Sequence, residues 1–210
     1  IFNSHWRFRK RTKTRSKKDI NDQLDQYKTS INVQGNVDGL YVGVSTDKNN
    51  LSNALVLLKD ILRNPIFDAS EFEKLKLEMK SALEANISEP QALVSEAIEK
   101  KTALYPKSHP YYSQTSDEKL VELNAITLDD LKKYYNDFYN GSSSKIAFVG
   151  GLDKKNIKTF LAETFDNWNA KFTYTRIPTQ YFEVDAYNNA IQVNDKTNAT
   201  LFGKINLNIG

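Results

Sequence analysis

Hydrophobic spacing in this chain changes period near Asn50, and that change limits the folds open to it. Before it, Ile31 and Val33 alternate with polar neighbours, and Gly35–Gly39 supplies turn residues. Leu40, Val42 and Val44 then share one face of a returning segment. Period two on both sides of a glycine-bearing turn predicts an antiparallel hairpin. After it, Leu51, Ala54, Leu55, Leu58, Ile61 and Leu62 recur at helical spacing until Pro65 stops the pattern. A hairpin followed by a run of helices gives an α+β order.

Local signals extend that order in both directions. Ser16 with Asp19 forms a capping-box pattern ahead of Ile20, Leu24 and Tyr27. Asp68 with Glu71 opens a helix that turns Phe72, Leu75, Met79 and Leu83 inward. Pro90 suits the first turn of another, striped by Leu93, Ala97, Ile98 and Leu104. Pro106 and Pro110 bracket a turn. Thr127 with Asp130 starts a helix bearing Leu128, Leu131, Tyr135 and Phe138, closed by Asn140-Gly141. Lys145–Val149 is a short apolar run before Gly150-Gly151 and is expected as a buried strand. Asp153 caps a last helix with Ile157, Phe160, Leu161 and Phe165 inside, and beyond Trp168 the texture becomes extended and Asn-rich. Ile205, Leu207 and Ile209 alternate as a terminal strand. The expected architecture is an antiparallel or mixed sheet with a layer of helices on one face. No solenoid repeat or low-complexity block interrupts it.

A chain of 210 residues with 40% apolar content can bury a sizeable core. It has no apolar run long enough for a transmembrane segment and no signal-peptide stretch. Its first residue is Ile1 rather than Met, as expected of a fragment whose parent carries any targeting information. The compartment is not fixed, since a chain without Cys is indifferent to redox state. The missing Cys also removes disulfides, thiol nucleophiles and thiolate metal sites.

The net charge of +3 conceals an asymmetry. Residues 1–18 hold eight basic side chains and no acid, leaving 21 basic against 26 acidic groups in the remainder. A basic arm, Arg7–Lys18, could make the chain an independent module binding nucleic acid or anionic lipid. A solvated terminus is the plainer expectation. Only Trp6 and Phe8 could stack on bases, and the acidic body would repel nucleic acid.

Several pieces, in order, resemble the insulinase/pitrilysin family of zinc metallopeptidases, of the mitochondrial processing peptidase-like kind. They are Thr12-Lys13, Asp22–Asp25, Leu57–Phe67, His109-Pro110-Tyr111-Tyr112, Leu128–Tyr135 and Phe148–Asp153. The resemblance covers residues 11–168. It implies a peptidase domain at 11–168, an atypical basic arm at 1–10, and a stretch at 169–210 of linker and strands leading towards a following unit.

That family carries H-x-x-E-H on a helix shortly before a Gly-Thr pair, and its two His with a downstream Glu hold zinc. Aligning the pair on Arg11-Thr12 puts the motif near Phe2, His5 and Trp6, with no His at either ligand position. The only His residues, His5 and His109, stand 104 positions apart. The acids of the following helix, Glu71, Glu73, Glu78 and Glu84, are ordinary for a solvated face, and no catalytic or metal residue is assigned. His109 is read as fastening a turn, with Tyr111 and Tyr112 packing beside it. Ser142-Ser143-Ser144 is a polar loop, and Gly150-Gly151 lacks the partners of a phosphate-binding turn.

The resemblance therefore implies an inactive insulinase-like domain. It would help enclose a chamber holding peptide substrates for a separate zinc-bearing domain, in the same chain or a partner subunit. Zinc belongs to that other domain, and no cofactor is expected in this one. Substrate-binding residues are not identified, beyond an exposed edge of the hairpin Ile31–Val44 onto which an extended peptide could add.

Overall fold

A computed structural model describes residues 11–194, 196–197, 199–205 and 207. Among these residues seven α-helices and one hairpin follow in chain order. They are α1 (Lys17–Gln26), β1 (Ser30–Asn36), β2 (Gly39–Ser45), α2 (Leu51–Arg63), α3 (Ala69–Ile87), α4 (Pro90–Thr102), α5 (Ser116–Ala125), α6 (Leu128–Phe138) and α7 (Lys154–Phe165). The class is α+β. Contacts divide the described residues into two compact units. One holds residues 11–72 and 127–176, the other 73–126 and those from 177 onward.

In the first unit β1 and β2 pair antiparallel, with Ile31 opposite Val44, Val33 opposite Val42 and Gly35 opposite Leu40. The side-chain oxygen of Asn36 accepts from the Asp38 and Gly39 amides and closes the turn. One sheet face lies on helices. Ile31, Leu40 and Val44 pack against a core of Leu55, Leu58 and Leu62 from α2 with Ile157 and Phe160 from α7. A second cluster joins Ile20 of α1 to Leu57 and Ile61 of α2. The 3.6-residue spacing of α2 thus serves two neighbours on adjoining stripes. Tyr135 of α6 donates its hydroxyl to the Leu62 carbonyl at 2.8 Å, tying α6 to the end of α2.

The caps read from the sequence form. Ser16/Asp19 and Thr127/Asp130 make reciprocal capping boxes, and Asp153 accepts from the Lys155 and Asn156 amides. Asp68 accepts from the Ser70 and Glu71 amides, and Pro90 opens α4. Of the inward residues expected on α3, Phe72 and Leu75 are buried while Met79 and Leu83 are half-buried.

The second unit is built on α4, α5 and most of α3. Lys76 donates to the carbonyls of Asn124 and Ile126, and Glu96 accepts from the amide and hydroxyl of Ser116. Here α5 is an element that the apolar spacing did not reveal. Its sign was Thr115-x-x-Glu118, which forms a complete capping box. The α4 stripe is also shallower than expected. Leu93, Ala97 and Ile98 are half-buried, and Leu104 lies beyond the helix end and is exposed.

Three expectations need correction. Lys145–Val149 is not a buried strand, because among the described residues β1 and β2 hydrogen-bond only with each other. Apolar composition gives a segment a reason to be buried, but a strand also needs a neighbouring backbone. Phe148 alone of this run packs on the core, while Ile146 and Val149 are exposed. The basic terminus is also more structured than a solvated arm from Arg11 onward. Arg11 pairs with Asp68, Arg15 with Asp60, and Lys18 with Asp22. Ile205 and Leu207 are exposed and form no strand, and Ile209 lies outside the described residues.

Gly141 sits against α7. Its amide donates to the Trp168 carbonyl at 2.8 Å, and a Cβ there would lie 2.7 Å from the Phe165 carbonyl oxygen. Backbone cannot swing aside as a flexible side chain can. Gly141→Ala is expected to cost about 1–2 kcal/mol, read as a lower urea midpoint with an unchanged slope.

Candidate functional site

Phe2, His5 and Trp6 lie outside the described residues. His109 sits in the turn after α4, half-buried. Its Nδ1 accepts from the Tyr111 amide at 3.1 Å, and its ring stacks on Tyr105 with centroids 4.4 Å apart. Tyr105 in turn accepts from the Gln180 amide at 2.8 Å and meets the ring of Phe182 edge-on. His109 thus joins an aromatic cluster that secures a turn and the passing segment at Gln180–Phe182. Beside it, Tyr112 donates to Glu118. The Lys107 ammonium, then the Thr115 amide, hold the Glu118 carboxyl down at about 2.

The most concentrated polar chemistry lies instead on α2. Asp60 is only 6% exposed, between the buried residues Leu58 and Ile61. Its Oδ2 accepts from Thr12 Oγ1 at 2.6 Å, Thr14 Oγ1 at 2.8 Å and Arg15 Nη1 at 2.6 Å. Its Oδ1 accepts from Asn64 Nδ2 at 3.0 Å. Burial pushes the Asp60 carboxyl up, yet these four donors together hold it below its ordinary value. Thr12, 2% exposed, also forms an isolated antiparallel bridge with Pro65, flanked by Lys13 N–H to Asn64 and Ile66 N–H to Arg11. This network latches residues 11–15 to the end of α2. Its acceptor had a sequence signal, a carboxylate on an apolar helix stripe. Its donors had none.

The latch is saturated and holds no free acid or base. The remaining feature suited to binding is the hairpin. Among the described residues β1 and β2 pair only with each other, so the outer edge of each strand has no ladder partner. The face turned from the helices carries Asn32, Gln34 and an exposed Tyr41.

The resemblance implies zinc for a separate domain, and the described residues of this chain offer no set that fits the ion. Nowhere among them do three His, Cys, Asp or Glu side chains converge as a metal group. His109 spends its Nδ1 on a backbone amide. Glu71, Glu73, Glu78 and Glu84 lie along the exposed side of α3. Neither is any helix among the described residues long and apolar enough to cross a membrane.

The fold and this site define an α+β scaffold whose polar centre is a structural latch. Comparison with known families makes the assignment specific. The sequence model of insulinase (peptidase family M16) matches residues 2–114, and that of the peptidase M16 inactive domain matches residues 125–202. The chain belongs to the insulinase family, peptidase family M16. Among solved structures it is similar to a peptidase M16 inactive domain from Pseudomonas fluorescens, at 18% identity and a TM-score of 0.64. That match covers 88% of this chain and 43% of the other. A protease from Helicobacter pylori is similar at 19% identity and 0.64, with 86% and 42% covered. At such identity the likeness speaks for the fold, and this chain spans less than half the length of either structure. No curated protein matches it.

Proposed function

We propose that this chain is a non-catalytic part of an insulinase-like peptidase that helps hold an extended peptide for a separate zinc-bearing domain. Family membership supports the class of activity, with the inactive-domain match over residues 125–202. The observation that carries the role is the hairpin, whose backbone edges lack a ladder partner among the described residues while one face is anchored on α2 and α7. An extended peptide gains affinity there through backbone hydrogen bonds, largely independent of its sequence. The peptide is the substrate, and the zinc-bearing partner is another insulinase-like domain of the same chain or of a second subunit. In this reading residues 11–168 form the inactive domain, and residues 169–210 lead on to a following unit.

Peptide backbone chemistry tests the role directly. A fluorescent extended peptide is titrated against the chain alongside the same peptide N-methylated at alternate residues. Each methyl removes a donor worth roughly 1 kcal/mol, so losing two is expected to weaken binding about tenfold or more. Equal affinity for the two peptides would show that no strand is added, and the proposed holding role would fall with it.

A further inference from the structure

The segment before α7 ends in an exposed tip, Val149-Gly150-Gly151-Leu152. Val149 is 97% exposed, and Leu152 is exposed as well. Gly150 takes a φ of +133°, a conformation that side chains rarely adopt, and this turns the chain sharply at the tip. Lys154 and Lys155 follow as the first two residues of α7, and Lys158 lies one turn beyond Lys154 on the same face. A fourth cation, Lys48, arrives from the turn after β2. Its aliphatic stem crosses Gly151 so closely that a Cβ there would lie 3.1 Å from Lys48 Cδ. All four lysines are exposed, and none has a side-chain partner among the described residues. Elsewhere in the same unit, Lys59 and Lys133 are paired with acids.

Stability does not account for this arrangement. Cations in the first turn of a helix oppose its dipole, and clustered lysines repel one another. The α7 amides are not the attraction either, since Asp153 already accepts from those of Lys155 and Asn156. What remains is an aliphatic tip with an unpaired cationic rim.

We propose that this tip docks on an anionic lipid bilayer. Val149 and Leu152 enter the boundary between headgroups and acyl chains, and the four ammonium groups lie over the lipid phosphates. Charge complementarity selects the partner, and the side chains of the tip narrow the choice. Nucleic-acid surfaces favour aromatic rings for stacking and Arg for phosphate forks. This tip offers aliphatic carbon and Lys without Arg or aromatic rings, its Asp153 carboxylate being spent on the α7 amides, and that combination suits a bilayer interface. The surface is separate from the hairpin edges and does not depend on the peptide-holding role.

Co-sedimentation of the full chain with vesicles tests the proposal. One set is phosphatidylcholine alone, and the other has about a quarter phosphatidylserine. Binding is expected only to the second set and should weaken as salt rises. Each lysine near the surface is worth roughly fivefold, so Lys154→Gln with Lys155→Gln lowers partitioning roughly 25-fold. Val149→Ser with Leu152→Ser should weaken binding severalfold while keeping the salt dependence. These exposed substitutions are expected to leave the circular dichroism unchanged. No binding, or equal binding to both vesicle sets, would overturn the proposal. So would undiminished binding by both variants, which would place the contact on residues 1–18. Capture by duplex DNA or polyglutamate but not by vesicles would assign the tip to another partner.

Discussion

Asp60→Ala is expected to destabilise the protein by about 3 kcal/mol, because it strands the buried Thr12 hydroxyl and takes from Arg15 its carboxylate partner. Thr12 and Arg15 keep their positions through the bridge to Pro65 and the contact with Gln23, so their polar atoms cannot simply turn to water. Arg15 is partly exposed, which keeps the cost near the lower end of the range for breaking a buried ion pair. Asp60→Asn retains one acceptor and should lose less. The acid limb supplies a second readout. The folded carboxyl titrates below its unfolded value, so its contribution is complete above about pH 3.9 and disappears as pH falls through the depressed folded value. Urea midpoints at neutral and acid pH should therefore converge between the parent and Asp60→Asn. A gap that stays constant down to the lowest pH would mean that the latch is not ionic.

Leu57→Ala should cost roughly 3–4 kcal/mol. Leu57 is 1% exposed and lies between Ile20 of α1 and Ile61 of its own helix, where a deletion leaves a cavity rather than a collapsed gap. Its neighbour Val56 faces solvent, so Val56→Ala provides a control within the same turn and should change stability by no more than about 0.5 kcal/mol. Leu57→Met, nearly conserving volume, should fall below about 1.5 kcal/mol. The contrast between Leu57 and Val56, measured by urea unfolding, tests whether α2 faces α1 as described. Similar losses at the two positions would place the buried face elsewhere.

Where a signal is local, the sequence reads well. Ser16/Asp19, Thr127/Asp130 and Asp153 announce helix starts within four residues, and each makes the bonds its spacing implies. The hairpin is similarly legible, since alternation and turn chemistry agree on its register. Lys145–Val149 shows the limit of such reading. Its apolar content cannot report whether a backbone partner stands alongside, and among the described residues none does. The helix α5 was missed for the opposite reason. Its apolar stripe is sparse, although Thr115 and Glu118 marked its start. The Asp60 network went unread in the sequence, although its acceptor, a carboxylate on an apolar helix stripe, carried a signal. Thr12, Thr14 and Arg15 are common polar residues until folding brings them across 45 to 48 positions.

The latch also bears on where the smallest self-sufficient version of this protein begins. A shortened chain starting at Ser16 would keep all seven α-helices and both strands found among the described residues. Among the described residues it would nevertheless leave Asp60 with only Asn64 as a side-chain partner, and it would remove the segment bridged to Pro65. An excision guided by secondary structure alone would therefore yield a complete-looking but weakened piece. The working boundary lies upstream of Thr12, ahead of the first helix among the described residues.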